Sequence, residues 1–220
     1  MPACLLLDGN KPASEDHLYE LPAEVCKRWF NGHRFGRIGT IGDGSCFFHS
    51  VCLGLNIGSY RNGERQKIAW ALRKVLSDSF QKKNFDEISS TLVGKNSKSF
   101  EDIKKAMKNP KTWAEEIMIK WCSRFLKANI IFLNLSNNSN VPYCGVHDIM
   151  TLEEVKRCIR PELPTVIVAW VNSSHFELIC RIDKVTSKDV SLRTAFDPNN
   201  VADLETIENL MKSYRSHCYT

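Results

Sequence analysis

The stretch Ile41-Gly-Asp-Gly-Ser-Cys-Phe-Phe-His-Ser50 joins a polar, glycine-containing segment to an apolar one. Two glycines flank Asp43, and because glycine adopts backbone conformations that other residues avoid, the first half is expected to be a loop. Phe47, Val51 and Leu55 then recur every four residues, which is the spacing of one buried helix face. Cys46 is therefore predicted to lie where a polar loop becomes a buried helix.

The predicted position of Cys46 suits a nucleophile. The N-terminus of a helix has free N–H groups and a positive dipole end, and both favour the thiolate. The same N–H groups, together with the loop around Asp43, can hold an oxyanion. We take Cys46 as the candidate nucleophile. Three other cysteines in apolar helix or strand contexts are interpreted as buried core thiols: Cys52, Cys122 and Cys180.

A cysteine nucleophile needs a base, and the base needs an orienting group. His175 follows the turn-prone Asn172-Ser-Ser174 and opens a predicted strand. Residues two apart on a strand face the same side, so Glu177 can project beside His175 and fix its tautomer. His49, three residues after Cys46 on the same predicted helix, is the rival base.

Composition narrows the class of protein. The chain has 220 residues, of which 43% are hydrophobic, and one domain is expected. The net charge of +5 is mild and no nucleic-acid motif accompanies it, so no nucleic-acid partner is expected. No apolar run approaches the roughly 20 residues of a membrane span, and no secretory signal is apparent. We expect no membrane association, a cytoplasmic location and reduced thiols for the nine cysteines.

Metal and cofactor chemistry is not expected from this sequence. Cys144 and His147 have ligand-like spacing, but no second pair completes a tetrahedral zinc site. We therefore predict neither a metal ion nor a cofactor.

The order of predicted elements indicates an α+β domain, layered α/β/α with a small sheet. Amphipathic helices are predicted over 62–80 and over 112–127, the second starting at a Thr112–Glu115 capping box. Residues 81–111 between them are the least regular. Further helix starts are expected at Ser99 and Thr151, and a short helix over 204–211. Strands are predicted at Ile130–Leu133, Thr165–Trp170, Phe176–Ile182 and Val190–Phe196.

Two short motifs resemble those of a known family. Asp43-Gly-Ser-Cys46-Phe-Phe resembles the D-G-x-C-[FL]-[FY] signature of ovarian-tumour (OTU) cysteine proteases, and especially of the viral ones. Ser174-His-Phe-Glu-Leu-Ile179 is similar to the family's second signature. The resemblance covers about residues 35–185. We accordingly predict an N-terminal extension packing on the domain (1–34), an OTU-type protease domain (35–185), and a C-terminal strand and helix closing it (186–220).

The resemblance implies a papain-like OTU fold, in which a small central β-sheet is flanked by helices. It further implies that Cys46 attacks a carbonyl, His175 takes its proton, and the Asp43–Cys46 loop supplies the oxyanion hole. The family usually has Asp or Asn two residues after the histidine, whereas this chain has Glu177. The orienting group is Glu177, Asn172 or an acid near the N-terminus. Residues 81–111 lie where such proteases carry a ubiquitin-contacting arm.

The function predicted from the resemblance is that of a deubiquitinating cysteine protease, an isopeptidase acting after the C-terminal glycine. Its partners would be ubiquitin or polyubiquitin, or the interferon-induced ubiquitin-like modifier, and the enzyme would be a monomer. If the source is viral, the host cytoplasm is the expected location. The alternatives are a catalytically weak ubiquitin-binding module and a cysteine peptidase for a viral polyprotein. The arginine of the ubiquitin tail would require acidic residues near the cysteine, and the candidates are Glu64 and the Glu115-Glu116 pair.

Overall fold

A mixed sheet of seven strands lies at the centre of the molecule. The computed structural model describes residues 15–92, 98–135, 143–145, 162–172, 174–185 and 190–218. The strands are β1 (Leu18–Glu20), β2 (Phe35–Ile38), β3 (Asn129–Asn134), β4 (Tyr143–Gly145), β5 (Thr165–Val171), β6 (His175–Val185) and β7 (Val190–Arg193). Their order in the sheet is β1-β2-β6-β5-β3-β4, with β7 also paired to β6. Among these described strands, β3 and β5 pair in parallel and the other pairs are antiparallel.

Helices cover both faces of this sheet. Alternate residues of β5 belong to two separate cores, because successive side chains of a strand point to opposite faces. Val166 and Val168 belong to the core that also contains buried residues of α2, α3, α5 and α6, while Ile167 and Ala169 pack with α1 and α7. The predicted α+β, layered α/β/α architecture is confirmed. The helices are α1 (Ala23–Trp29), α2 (Cys46–Leu55), α3 (Arg65–Ser79), α4 (Lys82–Ser89), α5 (Phe100–Lys108), α6 (Glu116–Leu126) and α7 (Val201–Cys218).

The helix that follows the quoted loop, α2, lies directly on the centre of the sheet. A methyl group at Gly54 would meet Cγ1 of Val166 at 2.8 Å, so the absence of a side chain there permits the close approach of α2 to β5. At the other end of α2, the ring of Phe47 packs edge-on against Phe176 of β6, with centroids 5.9 Å apart. These contacts place the start of α2 above the start of β6.

Several predicted elements are confirmed within a few residues. α3 and α7 lie where helices were expected, and α5 starts at Ser99, whose hydroxyl accepts a hydrogen bond from the Asp102 N–H in a capping box. The predicted strands correspond to β3, β5, β6 and β7. The division of the chain at residues 34 and 185 stays a prediction, and the expected helix start at Thr151 lies outside the described residues.

Two expectations were wrong. α6 begins at Glu116 rather than Thr112, because residue 115 still has an extended backbone, and Trp113, which lies before the helix, is exposed. The stretch 81–111, expected to be the least regular, contains the unpredicted helix α4 before the predicted α5. The buried residue of α4, Ile88, lies among lysines and other polar residues that obscured the helical pattern. No helix in the described part of the chain is both long enough and apolar enough to cross a bilayer.

Candidate active site

Cys46 is the first residue of α2, and the residue is 4% exposed. Burial raises the pKa of this thiol, while hydrogen bonds from the backbone of Phe176 and Phe47 act in the opposite direction. The contact with Phe176 places the sulfur against the residue that follows His175. The N–H groups at the start of α2 favour the thiolate, as expected, but desolvation in this buried position outweighs them.

His175 is the first residue of β6 and is paired with Val171 across the turn from β5. Its ring is hydrogen-bonded to the backbone of Thr40, and a Cβ at Gly42 would lie 3.9 Å from its Cε1. Burial lowers the pKa of His175, with Arg37 adding to that effect and the bond to Thr40 opposing it. Burial thus favours a neutral imidazole, suited to accept a proton, on the residue next to Phe176, whose backbone lies beside the Cys46 sulfur.

Glu177 occupies a different setting from the one expected for an orienting carboxylate. Nη1 of Arg37 donates to its Oε2 at 3.0 Å, and both side chains are buried. Glu177 is thus the counter-ion of a buried arginine on β2, and its role as the group that orients His175 stays a prediction. Asn172, the second candidate, lies in the β5–β6 turn with an exposed side chain and a φ of 51°.

The hydrogen bond between the Thr40 backbone and the His175 ring was not predicted from the sequence. The Thr40 hydroxyl donates to the carbonyl of Phe176 at 2.6 Å, while the backbone of Thr40 holds the ring of His175. A backbone partner leaves no residue-type signal, and the register of β2 against β6 is needed to place it. The Thr40 backbone is therefore a hydrogen-bond partner of the imidazole that residue type alone does not reveal.

The loop around Asp43 is a tight turn that is held by hydrogen bonds of the Asp43 and Ser45 side chains. Oδ1 of Asp43 accepts from the Ser45 N–H at 2.9 Å, and Gly44 has a φ of +79°. The Ser45 hydroxyl donates outward, to the carbonyl of Pro110 at 2.9 Å, and does not cap α2. The N–H groups at the start of α2 are consequently not occupied by that hydroxyl, which is compatible with the predicted oxyanion hole.

Arg73 of α3 supports this loop through contacts with Ser45 and Phe48. It was not identified from the sequence. Its buried guanidinium lies over the ring of Phe48 at 4.5 Å and donates to the carbonyls of Ala106 and Met107 at 2.8 Å each. Nη1 also lies 3.4 Å from Oγ of Ser45. Burial lowers the pKa of Arg73 to about 10, so the group remains charged at neutral pH. Its sequence context, an amphipathic helix with many basic residues, gives no sign of burial.

The rival base, His49, has other hydrogen-bond partners than Cys46. Its Nδ1 lies 2.6 Å from the Tyr60 hydroxyl, and its Nε2 lies 3.2 and 3.3 Å from the two carboxylate oxygens of Asp43. Both ring nitrogens thus have partners other than the Cys46 sulfur. Of the two histidines, His175 is the better candidate base.

The acidic residues considered for the substrate tail all lie beside lysines. Glu115 pairs with Lys98, and Glu116 with Lys120 at 2.9 Å. Glu64 pairs with Lys67 one turn along the chain. These carboxylates are exposed or half-buried, and a substrate arginine would have to compete with the lysines for them.

The described residues contain no group of three side chains able to hold a metal ion. His147 lies outside them, as does the side chain of Cys144.

The site falls within the region that matches a known family. The model of the OTU-like cysteine proteases matches residues 41–176, which extend from the loop before Cys46 to the residue after His175. The chain belongs to the family of OTU-like cysteine proteases. A search of curated proteins found no match.

Comparison with solved structures found several OTU domains. An OTU domain in complex with ubiquitin is 13% identical with a TM-score of 0.50, the match covering 84% of this chain and 88% of that one. The OTUD1 OTU domain is 17% identical with a TM-score of 0.49, covering 71% of this chain and 94% of that one. The Hazara virus OTU bound to ubiquitin is 14% identical with a TM-score of 0.44, covering 68% and 83%. The first of these supports the same fold.

Proposed function

We propose that this protein is a deubiquitinating isopeptidase, which cleaves after the C-terminal glycine of ubiquitin or of a ubiquitin-like modifier such as the interferon-induced one. The observation that carries the proposal is the contact of the Cys46 sulfur with the backbone of Phe176, beside His175. It joins the two family signatures in one site. A solved OTU domain of the same fold is in complex with ubiquitin, which supports ubiquitin as the partner.

The reaction follows from the protonation states in the site. Neutral His175 takes the proton of Cys46 as the sulfur bonds to the carbonyl carbon, and N–H groups around Asp43 hold the oxyanion. The C–N bond then breaks as the protonated imidazole gives its proton to the leaving lysine amine. Water, activated by the same imidazole, attacks the thioester and releases the C-terminal carboxylate and the free thiol. Thr40 keeps the ring in place through both steps.

The protein is proposed to act as a monomer in the cytoplasm, or in the host cytoplasm if its source is viral. Two alternatives make different predictions about the same preparation. A ubiquitin-binding module would bind ubiquitin without turnover, and a peptidase for a viral polyprotein would cleave an internal peptide bond but not a ubiquitin conjugate.

The test is labelling with ubiquitin that carries a thiol-reactive group at its C-terminus, with a probe built on the interferon-induced modifier beside it. We expect a covalent adduct on Cys46 of the wild-type protein and none on the Cys46→Ala variant. Cys52→Ala is the matched control, because Cys52 is a buried thiol on the same helix. A folded wild-type protein that reacts with neither probe would refute the proposal.

A further inference from the structure

His49 lies at the centre of a buried polar chain that the proposed reaction does not use. It is fully buried in α2, between the Asp43 carboxylate on one side and the Tyr60 hydroxyl on the other. Tyr60 is itself buried. An imidazole and a phenol buried in an apolar core beside a partly exposed carboxylate are costly unless their hydrogen bonds are all made. The arrangement therefore requires a particular tautomer.

The donors and acceptors of this chain can be assigned. The Asp43 carboxylate only accepts, so His49 must donate to it from Nε2. A neutral imidazole then has an acceptor at Nδ1, and the Tyr60 hydroxyl donates to it across the 2.6 Å separation. Burial lowers the pKa of His49 against the opposing effect of Asp43, which agrees with a neutral ring. Glu15 and Arg65 also face this group, with smaller and opposite effects.

The carboxylate that His49 holds is the one that shapes the catalytic loop. One oxygen of Asp43 accepts from the Ser45 N–H at 2.9 Å, which closes the turn containing Gly44. Cys46 follows this turn directly. Because His49 lies one helical turn beyond Ser45 and its own N–H donates to the Ser45 carbonyl at 2.9 Å, α2 carries both the nucleophile and the group that fixes the loop before it.

We propose that His49 is a positioning residue for this reaction: its Nε2–H holds the Asp43 carboxylate, with Tyr60 fixing the tautomer, and so keeps the loop in the shape that stabilises the oxyanion. The inference rests on the proposed acyl-transfer chemistry at Cys46. It differs from that chemistry in assigning a role to a histidine that transfers no proton.

The catalytic arm of the test compares three variants on a ubiquitin substrate. His49→Phe removes both ring nitrogens, and we expect kcat to fall about 10²–10³-fold, as for loss of an oxyanion-hole donor. KM should change little. His49→Gln restores a donor toward Asp43 and should recover at least about tenfold of that loss, and Tyr60→Phe should lower kcat less than His49→Phe does. Val51→Ala, a cavity variant on the same helix, is the control for general destabilisation.

A second measurement separates positioning from collapse of the site. Alkylation of Cys46 by iodoacetamide, followed by peptide mass spectrometry, needs the thiol but no oxyanion hole. We expect its rate to be nearly unchanged in His49→Phe. Equal losses in alkylation and turnover, or full kcat in His49→Phe, would overturn the proposal.

The structural arm is independent of any substrate, so it stands even if ubiquitin is not cleaved. The side-chain ¹⁵N spectrum of the wild-type protein, assigned with His49→Gln, should show His49 neutral and protonated at Nε2. The Ser45 amide should exchange with solvent faster in His49→Phe than in the wild type. A ring protonated at Nδ1 alone, or unchanged exchange at Ser45, would contradict the assignment.

Discussion

At the scale of single residues, Gly44 is the most constrained position of the catalytic loop. Its φ is +79°, and a Cβ would lie 2.7 Å from the carbonyl carbon and oxygen of Lys111. A side chain therefore has both an unfavourable backbone conformation and a backbone neighbour that must move. Either change displaces the turn that precedes Cys46.

We predict that Gly44→Ala lowers kcat/KM by about 10²-fold or more, since displacement of the reacting groups by about 1 Å is enough for such a loss. The measurement is steady-state turnover of a ubiquitin substrate. Gly32→Ala is the matched control, because Gly32 has a φ of +81° but no atom within 4 Å of the added methyl group. It should cost about 1 kcal/mol of stability and leave activity intact. Comparable activity in the two variants would contradict the prediction.

The pKa shifts of His175 and Cys46 determine the expected pH dependence. The pKa of His175 is lowered by burial, so the base is unprotonated at neutral pH and kcat/KM should fall only below its ordinary value of 6.5. The pKa of Cys46 is raised above 9.0, so iodoacetamide should alkylate the free enzyme faster as pH rises past that value. Both pH dependences are measured, as pH profiles of turnover and of alkylation. An alkylation plateau already reached below pH 7 would instead indicate a thiolate–imidazolium pair.

At the scale of elements, β2 and β6 are joined by the buried ion pair of Arg37 and Glu177. Removing one partner of such a pair leaves an uncompensated buried charge. We predict that Glu177→Gln costs about 3–5 kcal/mol in the free energy of unfolding, measured by urea denaturation. The Arg37→Met/Glu177→Leu double variant should regain much of that loss.

The same variant tests whether Glu177 orients His175. Turnover of Glu177→Gln, measured where the protein is fully folded, should fall less than that of His175→Ala, because Thr40 still holds the ring. Equal losses in the two variants would make Glu177 a full member of the catalytic triad.

Local patterns predicted β3, β5, β6, β7 and most of the longer helices because their periods are short, whereas α1, α4, β1, β2 and β4 were not predicted. Phe47 and Val51 follow one buried helix face, and the β5 strand is a nearly continuous apolar run. The start of α6 was misplaced because Thr112 and Glu115 form a plausible cap in sequence, whereas the chain reaches Glu116 in an extended form.

The candidate site was predictable where it depends on side-chain type, as at Cys46 and His175. It was not predictable where it depends on which strands pair. Thr40 reaches the imidazole, and Arg37 reaches Glu177, only because β2 lies next to β6, far away in sequence. Arg73 was missed for the same reason, since the carbonyls that hold it come from the end of α5.

At the scale of the whole molecule, two buried histidines make folding sensitive to mild acid. The pKa values of His49 and His175 are lowered in the folded protein, mainly by burial. Below about pH 6.5 the unfolded chain therefore binds protons that the folded protein does not bind, and stability must fall as pH decreases. The exposed carboxylates Asp78 and Asp102, whose pKa values are lowered from 3.8, act only at more acidic pH.

We predict that the free energy of unfolding decreases between pH 6.5 and 5, with a slope of up to about 1.4 kcal/mol per pH unit for each histidine. Urea denaturation at a series of pH values measures this slope. His49→Gln should reduce this slope, because it removes one of the two buried histidines. A flat profile over this interval would show that neither histidine is buried in its neutral form.

The position of β6 between β2 and β5 has a consequence during synthesis on the ribosome. Cys46 emerges early, but its partner lies on a strand made much later, on the order of ten seconds afterwards at roughly 5–20 residues per second. Until β6 is inserted, β2 and β5 have no strand to join them, and the proposed nucleophile has neither its proposed base nor the peptide group that contacts its sulfur. On the proposed mechanism, the nascent chain therefore cannot hydrolyse ubiquitin conjugates until the central strand is in place.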